Sequence, residues 1–345
     1  MELSERKLKI LRAIIDDYID TGIPVGSRTL SKKADIGYSS ATIRNEMADL
    51  EELGYLDKPH TSAGRTPSDI AYRLYVDRLI HINALAREEM DFIKTYFNKR
   101  VSEINEVLDT AAKVLSDTTH QVAMVTGPQL NDAKLKRIQL VKITETKAML
   151  ISVTDNGLVQ DSVITVPRML DSGHMEKLSN MLTETVRNET LSEAAAKIEK
   201  LSAQGMREQQ QVLAEVLEAI NTSRSQKKMI LEGAQNIFNY AEYKDVEKAQ
   251  RFFEMLDTRE DLFTLLDKAT DFEFSLKIGK ENENENFSDM SVVTATYKVG
   301  DKNIGSFGVL GPTRMNYSRV LSILKYVGMS MNEILSCFLK EDISD

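Results

Sequence analysis

One stretch, residues 26–67, constrains the fold of this chain more than any other. It opens with a short helical segment carrying Ser27, Arg28, Thr29, Lys32 and Lys33, followed by a turn at Ile36, Gly37 and Tyr38. A second helix begins with Ser39, Ser40, Ala41, Thr42, Ile43, Arg44 and Asn45. After Gly54 comes a strand-like Tyr55 and Leu56, then a hairpin tip that ends in Gly64, Arg65, Thr66 and Pro67. Helix, turn, helix and hairpin in this order are the parts of a winged helix-turn-helix, a module that places one helix in the DNA major groove.

The second helix has two distinct faces. With Ser39 or Ser40 as its N-cap, Ile43, Met47 and Leu50 recur at helical spacing and form a face fit for burial. At about 100° per residue, Ala41, Asn45, Ala48 and Glu52 fall opposite, with Thr42 and Arg44 on the flanks. The alanines permit close approach and can touch thymine methyls, Asn45 can pair with adenine, and Arg44 with guanine. Ser39, Ser40 and the helix N-terminal amides can hold phosphate. Ser27, Arg28 and Thr29 of the preceding helix join them as expected DNA contacts. Glu46, Asp49, Glu51 and Glu52 lie toward the C-terminal half, so the helix is expected to enter a groove N-terminus first. In the hairpin, Lys58, His60, Ser62, Arg65 and Thr66 are the expected contacts, with Arg65 reaching phosphate or the minor groove. The alternative is a surface hairpin with one solvated arginine.

Charge bears on this reading. The net charge of −9 argues mildly against a nucleic-acid binder. Residues 1–80, however, hold 12 basic and 13 acidic side chains, leaving about −8 on the rest, and residues 26–34 carry three positive charges and no negative one. An acidic body with a locally basic edge suits a DNA reader whose body stays off the duplex. An ordinary acidic cytosolic protein would have the same total.

At 345 residues the chain has room for two or three domains. Ser4 caps an expected first helix with Leu8, Leu11, Ile15 and Tyr18 on one face, ended by Gly22 and Pro24. Thr66 and Pro67 are expected to start another, with Ile70, Leu74 and Leu79 on its apolar side. Residues 88–118 lack Gly and Pro, and Ile93, Phe97, Val101, Ile104, Leu108, Ala111 and Leu115 predict one long connecting helix. Short strands are expected at 122–125, 138–143, 148–153 and 158–166, with a hairpin turn at Asp155, Asn156 and Gly157. A helical block follows over about 174–268, then strands at 272–278, 291–297 and 304–310 and a last helix over 318–339. Strands on both sides of a helical block predict one α+β domain with a helical insertion. That gives a DNA-binding domain at 1–87, a connecting helix at 88–118, a split domain at 119–185 and 257–345, and an insertion at 186–256. The insertion either dimerises or folds back on its own sheet.

Gly26–Leu30, Ser40–Glu51, His60–Pro67 and Gly308–Tyr317 together resemble the bacterial heat-inducible transcription repressor family, HrcA. The resemblance runs the length of the chain and is loosest in the insertion. It implies an α+β multidomain protein: a winged helix-turn-helix and a GAF-like domain interrupted by a mainly helical dimerising insertion. It also implies a repressor of chaperone operons that binds double-stranded DNA at an inverted-repeat operator (CIRCE) as a homodimer, with the chaperonin maintaining its activity. A cytoplasmic protein with no membrane segment is expected; no apolar run reaches the length of a span, and the lone Cys337 fits a reducing compartment.

Catalytic, metal and cofactor sites are not expected. His60, His81, His120 and His174 are scattered, and Gly305, Gly308 and Gly311 match neither a P-loop nor a dinucleotide fingerprint. Arg314 is expected to pair with an acidic neighbour, the alternative being an anion site. Two other functions stay open: a small-molecule-responsive regulator sensing through the GAF-like domain, and a scaffold using the N-terminal module for protein contacts.

Overall fold

The computed structural model describes residues 3–59, 64–80, 84–97, 104–127, 134–155, 159–203, 207–225, 228–267, 274–299 and 302–341. The chain begins with α1 (Glu5–Thr21), whose N-cap Ser4 accepts from the Lys7 amide and whose end is closed by Gly22 at φ 66°. Ile10, Leu11, Ile14 and Ile15 form its buried face. Next come α2 (Ser27–Ser31) and α3 (Ser40–Glu52), then β1 (Leu56–Asp57), antiparallel to β2 (Thr66–Pro67). Val25 adds a bridge to Arg65. That bridge explains Gly64: a Cβ there would lie 2.3 Å from the Val25 carbonyl oxygen.

Thr66 is not the cap expected of it. Thr66 and Pro67 belong to β2, and Ser68 caps α4 (Asp69–Leu74) by accepting from the Ala71 amide. Ala71, Tyr72 and Tyr75 form its buried face, Leu74 and Leu79 pack partly buried beside it, and Ile70 is 59% exposed. A π-helical turn, Tyr75–Leu79, continues α4.

The expected connecting helix is two helices, α5 (Arg87–Phe97) and α6 (Ile104–Thr119). Tyr96 Oη donates to Asp117 Oδ2 at 3.1 Å. In one straight helix those residues would stand about 30 Å apart, so α5 folds back on α6. Ile93, Phe97, Leu108, Ala111 and Leu115 are buried as the periodicity requires.

The body is a five-stranded antiparallel sheet in the order β7-β3-β10-β9-β8. Its strands are β3 (Val122–Thr126), β7 (Met229–Glu232), β8 (Ser275–Ile278), β9 (Met290–Val299) and β10 (Lys302–Pro312). Ala123, Val125, Val293, Ala295, Phe307 and Val309 share a core with α6 and α12 (Tyr317–Glu341). The alternate residues Val122, Met124, Val292 and Leu310 pack with Phe252, Met255, Leu262 and Phe287. Burial on both faces explains the unbroken apolar run of β3. α10 (Val246–Asp257) and α11 (Arg259–Asp267) supply part of that second core.

Sheet pairing redraws the expected domain boundaries. β4 (Leu135–Lys142), β5 (Lys147–Thr154) and β6 (Val159–Thr165) form a separate sheet, covered by α7 (Ser172–Val186), α8 (Leu191–Ser202) and α9 (Arg207–Ser225) around their own core. The inserted unit therefore begins before β4, not at 186. It ends before β7, not at 256, because residues 229–232 are a strand of the body sheet rather than helix. The chain leaves β3 and re-enters β7 at adjacent points, where the Gly127 amide donates to the Lys228 carbonyl at 2.7 Å. Side-chain hydroxyls of α7 protect the edge of β4: Ser179 Oγ accepts from the Leu140 amide at 2.8 Å, and Thr183 Oγ1 from Ile138 at 3.1 Å. The turn at 156–158 lies outside the described residues, and its flanking strands pair antiparallel with Val153 opposite Val159.

Candidate nucleic-acid interface

Helix α3 is anchored at its start and along one side. Ser39 caps it, Oγ accepting from the Thr42 amide at 3.2 Å and lying 2.9 Å from Thr42 Oγ1. Ser27 Oγ and Ser40 Oγ meet at 3.1 Å and tie α2 to the same end. Ile43, Met47 and Leu50 are buried in the core that α1 completes. The opposite face is open: Ala41, Arg44, Asn45 and Ala48 are exposed, as are Ser39 at its start and Arg28 and Thr29 on α2. Ser27, Ser40 and Thr42 are half-buried along the rim.

The acids of α3 are handled by residues that sequence spacing did not connect to it. Glu46 is buried between Arg6 and Lys7, with Lys7 Nζ 2.8 Å from its Oε2 and 2.7 Å from Asp49 Oδ2. The Lys7 pKa is raised, first by its bond to Asp49 and then by that to Glu46. With Glu51 paired to Arg65, three of the four acids in the C-terminal half of α3 have cationic partners, and Glu52 stays exposed at the far end. The spacing of Arg6 and Lys7 on the first turn of α1 was the available signal, but only the crossing of α1 and α3 brings them to Glu46.

Arg65 sits differently from expectation. Its Nε donates to Glu51 Oε2 at 2.7 Å and a terminal nitrogen lies 2.6 Å from the same oxygen. The side chain is only 20% exposed and straps the base of the hairpin to α3 rather than projecting from its tip. Lys58 is exposed on the hairpin and Thr66 is half-buried. His60 and Ser62 lie outside the described residues.

Arg314 pairs with an acid, as expected. Nε and a terminal nitrogen reach the two oxygens of Glu242 at 2.7 and 3.0 Å. Among the described residues no group of three or more His, Cys, Asp or Glu is arranged to hold a metal ion, and no helix is long and apolar enough to cross a membrane.

These parts define a multidomain α+β protein that presents, at its N-terminal end, one helix face with the small and hydrogen-bonding residues a nucleic-acid contact requires. Residues 105–321 match the family model described as the HrcA protein C-terminal domain. A heat-inducible transcription repressor HrcA of Ruminiclostridium cellulolyticum is 43% identical over 340 residues, covering 96% of this chain and 97% of that protein. Those of Halalkalibacterium halodurans and Clostridium perfringens are 37% and 39% identical over 337 residues, covering 97% and 96% of this chain and 98% and 99% of theirs. The chain belongs to the heat-inducible transcription repressor family, HrcA. A crystal structure of a hypothetical protein has the same fold, with a TM-score of 0.70 at 23% identity, covering 98% of this chain and all of that one.

Proposed function

We propose that this protein is a sequence-specific repressor of heat-shock chaperone operons that binds an inverted-repeat operator as a dimer, with the chaperonin maintaining its activity. The observation that carries the reading is the open face of α3, where Ala41, Arg44, Asn45 and Ala48 stand together while Glu46 and Asp49 are neutralised by Arg6 and Lys7. With α2, α3 and the β1–β2 hairpin acting as a winged helix, one copy reads one half-site.

Dimerisation is supported by the outward face of the β4–β6 sheet. Val141, Met149 and Val163 are aligned in register across it, and Val153 faces Val159. Val141, Val159 and Val163 are 42%, 62% and 59% exposed, an apolar surface of the kind partners cover. The five-stranded body sheet carries the GAF-like role, its second face filled by its own side chains.

Selection from random duplexes tests the reading: an inverted repeat should emerge, bound by a dimer that Val163→Lys converts to a monomer in light scattering. Sequence-indifferent binding would overturn it. Added chaperonin should raise the fraction of protein that binds the operator. A metabolite pool that shifts operator affinity, with no response to chaperonin, would favour the small-molecule sensor instead.

A further inference from the structure

The Gly308–Tyr317 segment has no place on the DNA face, yet it touches the DNA module directly. The Arg314 guanidinium, only 10% exposed, forks onto Glu242 and stacks 4.7 Å from the centre of the Tyr240 ring. Its other side lies against Gly22, where a Cβ would sit 2.9 Å from Cζ. Gly22 is the left-handed cap of α1, so any side chain there would both strain the cap and displace the arginine. The cation thereby faces the negative end of a 17-residue helix, a favourable placement.

A second contact joins the same two bodies through another helix. Arg73 of α4 donates from Nε to Glu281 Oε1 at 2.7 Å and from a terminal nitrogen to the Leu276 carbonyl at 2.8 Å. The Lys280 amide donates to Asp69 Oδ2 at 3.1 Å. Between the two contacts, Tyr72 of α4 meets Tyr317 of α12 edge to face at 5.9 Å. The apolar core runs without a break from α1 through Tyr72 and Tyr317 into α12. A single contact would leave the module a hinge. Two, on different helices with apolar packing between them, fix its rotation.

We infer that Arg314 is a positioning residue that sets the angle of the DNA module on the body and so dictates the half-site spacing an operator must have. This rests on the proposed two-headed reader. Each head is pre-set rather than tethered, so a wrongly spaced half-site cannot be reached without breaking the Arg314 and Arg73 contacts.

The test uses the full chain, with Arg314→Met and Glu242→Gln beside the wild type. Duplexes carry two identical half-sites whose separation changes one base pair at a time, and a single half-site serves as control. The wild type should prefer one spacing by about tenfold or more, and both variants should flatten that preference to about threefold while keeping single half-site affinity within about twofold. Exchange of the Lys280 amide, which belongs to the other contact, should quicken in both variants. An unchanged spacing profile, tighter binding at the preferred spacing, or unchanged Lys280 exchange would each overturn the inference. Should Arg314→Met fail to fold, Arg314→Lys retains the charge but not the fork and is read the same way. If the wild type binds no inverted repeat, the repressor reading fails and the exchange measurement alone decides whether Arg314 fixes the module.

Discussion

Arg44 and Tyr72 show how differently single side chains weigh on this molecule. Arg44 is exposed beside Ala41 and Asn45, with the reach and donors to read one base pair. Arg44→Ala is expected to cost about 1–3 kcal/mol of operator binding and to relax specificity at one position per half-site; titration against a duplex set with single-base changes measures both. Tyr72 is buried at 1% exposure, and its hydroxyl finds no hydrogen-bond partner among the described residues. An unsatisfied buried hydroxyl costs about 1–3 kcal/mol, so Tyr72→Phe should raise the denaturation midpoint. A lowered midpoint would mean that the hydroxyl has a partner. The periodicity of α3 put Arg44 on the flank of its polar face, and the side chain is exposed. No sequence pattern marks Tyr72 as lacking a partner, because that depends on what Tyr317 and α12 bring against it.

At the scale of elements, the hairpin and the insertion depend on contacts remote in sequence. With Arg65 bound to Glu51 and half-buried, Arg65→Ala should loosen the hairpin from α3 and lower stability by about 1 kcal/mol, the upper range for such pairs. The salt dependence of DNA binding should change little, because the guanidinium is already paired. A salt slope smaller by about one charge would restore Arg65 as a phosphate contact. The insertion leaves and returns across one hydrogen bond, Gly127 to Lys228. Replacing residues 128–227 with a short Asn-Gly turn should therefore leave a folded body and module that run as a monomer in light scattering with native-like circular dichroism. Loss of the fold would show that β3 and β7 need the insertion to pair. The strands within that region were legible as short apolar runs around a turn signal, but their sheet was not. β4 to β6 alternate as any half-buried strand would, and nothing local distinguishes pairing among themselves from pairing with β3. The four-residue β7 was hidden in a helical block because so short an apolar run has no period of its own.

Across the whole molecule, charged pairs join the N-terminal helices to the body, and their titration has a definite sign. Burial is the largest single influence on the Glu242 carboxylate and opposes its charge, but the Arg314 hydrogen bond, a backbone hydrogen bond and the nearby Arg314 and Lys248 charges together outweigh it and its pKa is lowered. Glu281 is likewise lowered, burial being overcome by Arg73 and the Ile278 amide. Lowered carboxylates stabilise the docked arrangement above their unfolded pKa of about 4.3 and lose that contribution as pH falls through the folded value. Asp69 runs the other way: burial raises its pKa against the opposing Lys280 amide bond, so its protonation offsets part of the loss. Tyr18, Tyr240 and Lys248 also face Glu242, and Lys277 faces Glu281. Melting temperature should fall between pH 5 and about pH 3.5, and Glu242→Gln should shrink that fall. An equal fall in wild type and variant would place the acid sensitivity elsewhere.

The sequence by itself determined the local parts: the caps at Ser4 and Ser39, the buried and open faces of α3, most strand positions and the last helix. These follow from side-chain period and cap chemistry over a few residues, which packing left in place there, whereas at Thr66 and Pro67 pairing with β1 overrode the same chemistry. Only the tertiary structure decided that α5 folds back on α6, that β4–β6 leave the body sheet, that Arg6 and Lys7 neutralise the acids of α3, and that Arg314 meets α1. Each of these joins residues from elements whose mutual orientation is set by packing, and a linear pattern carries no record of which faces will meet.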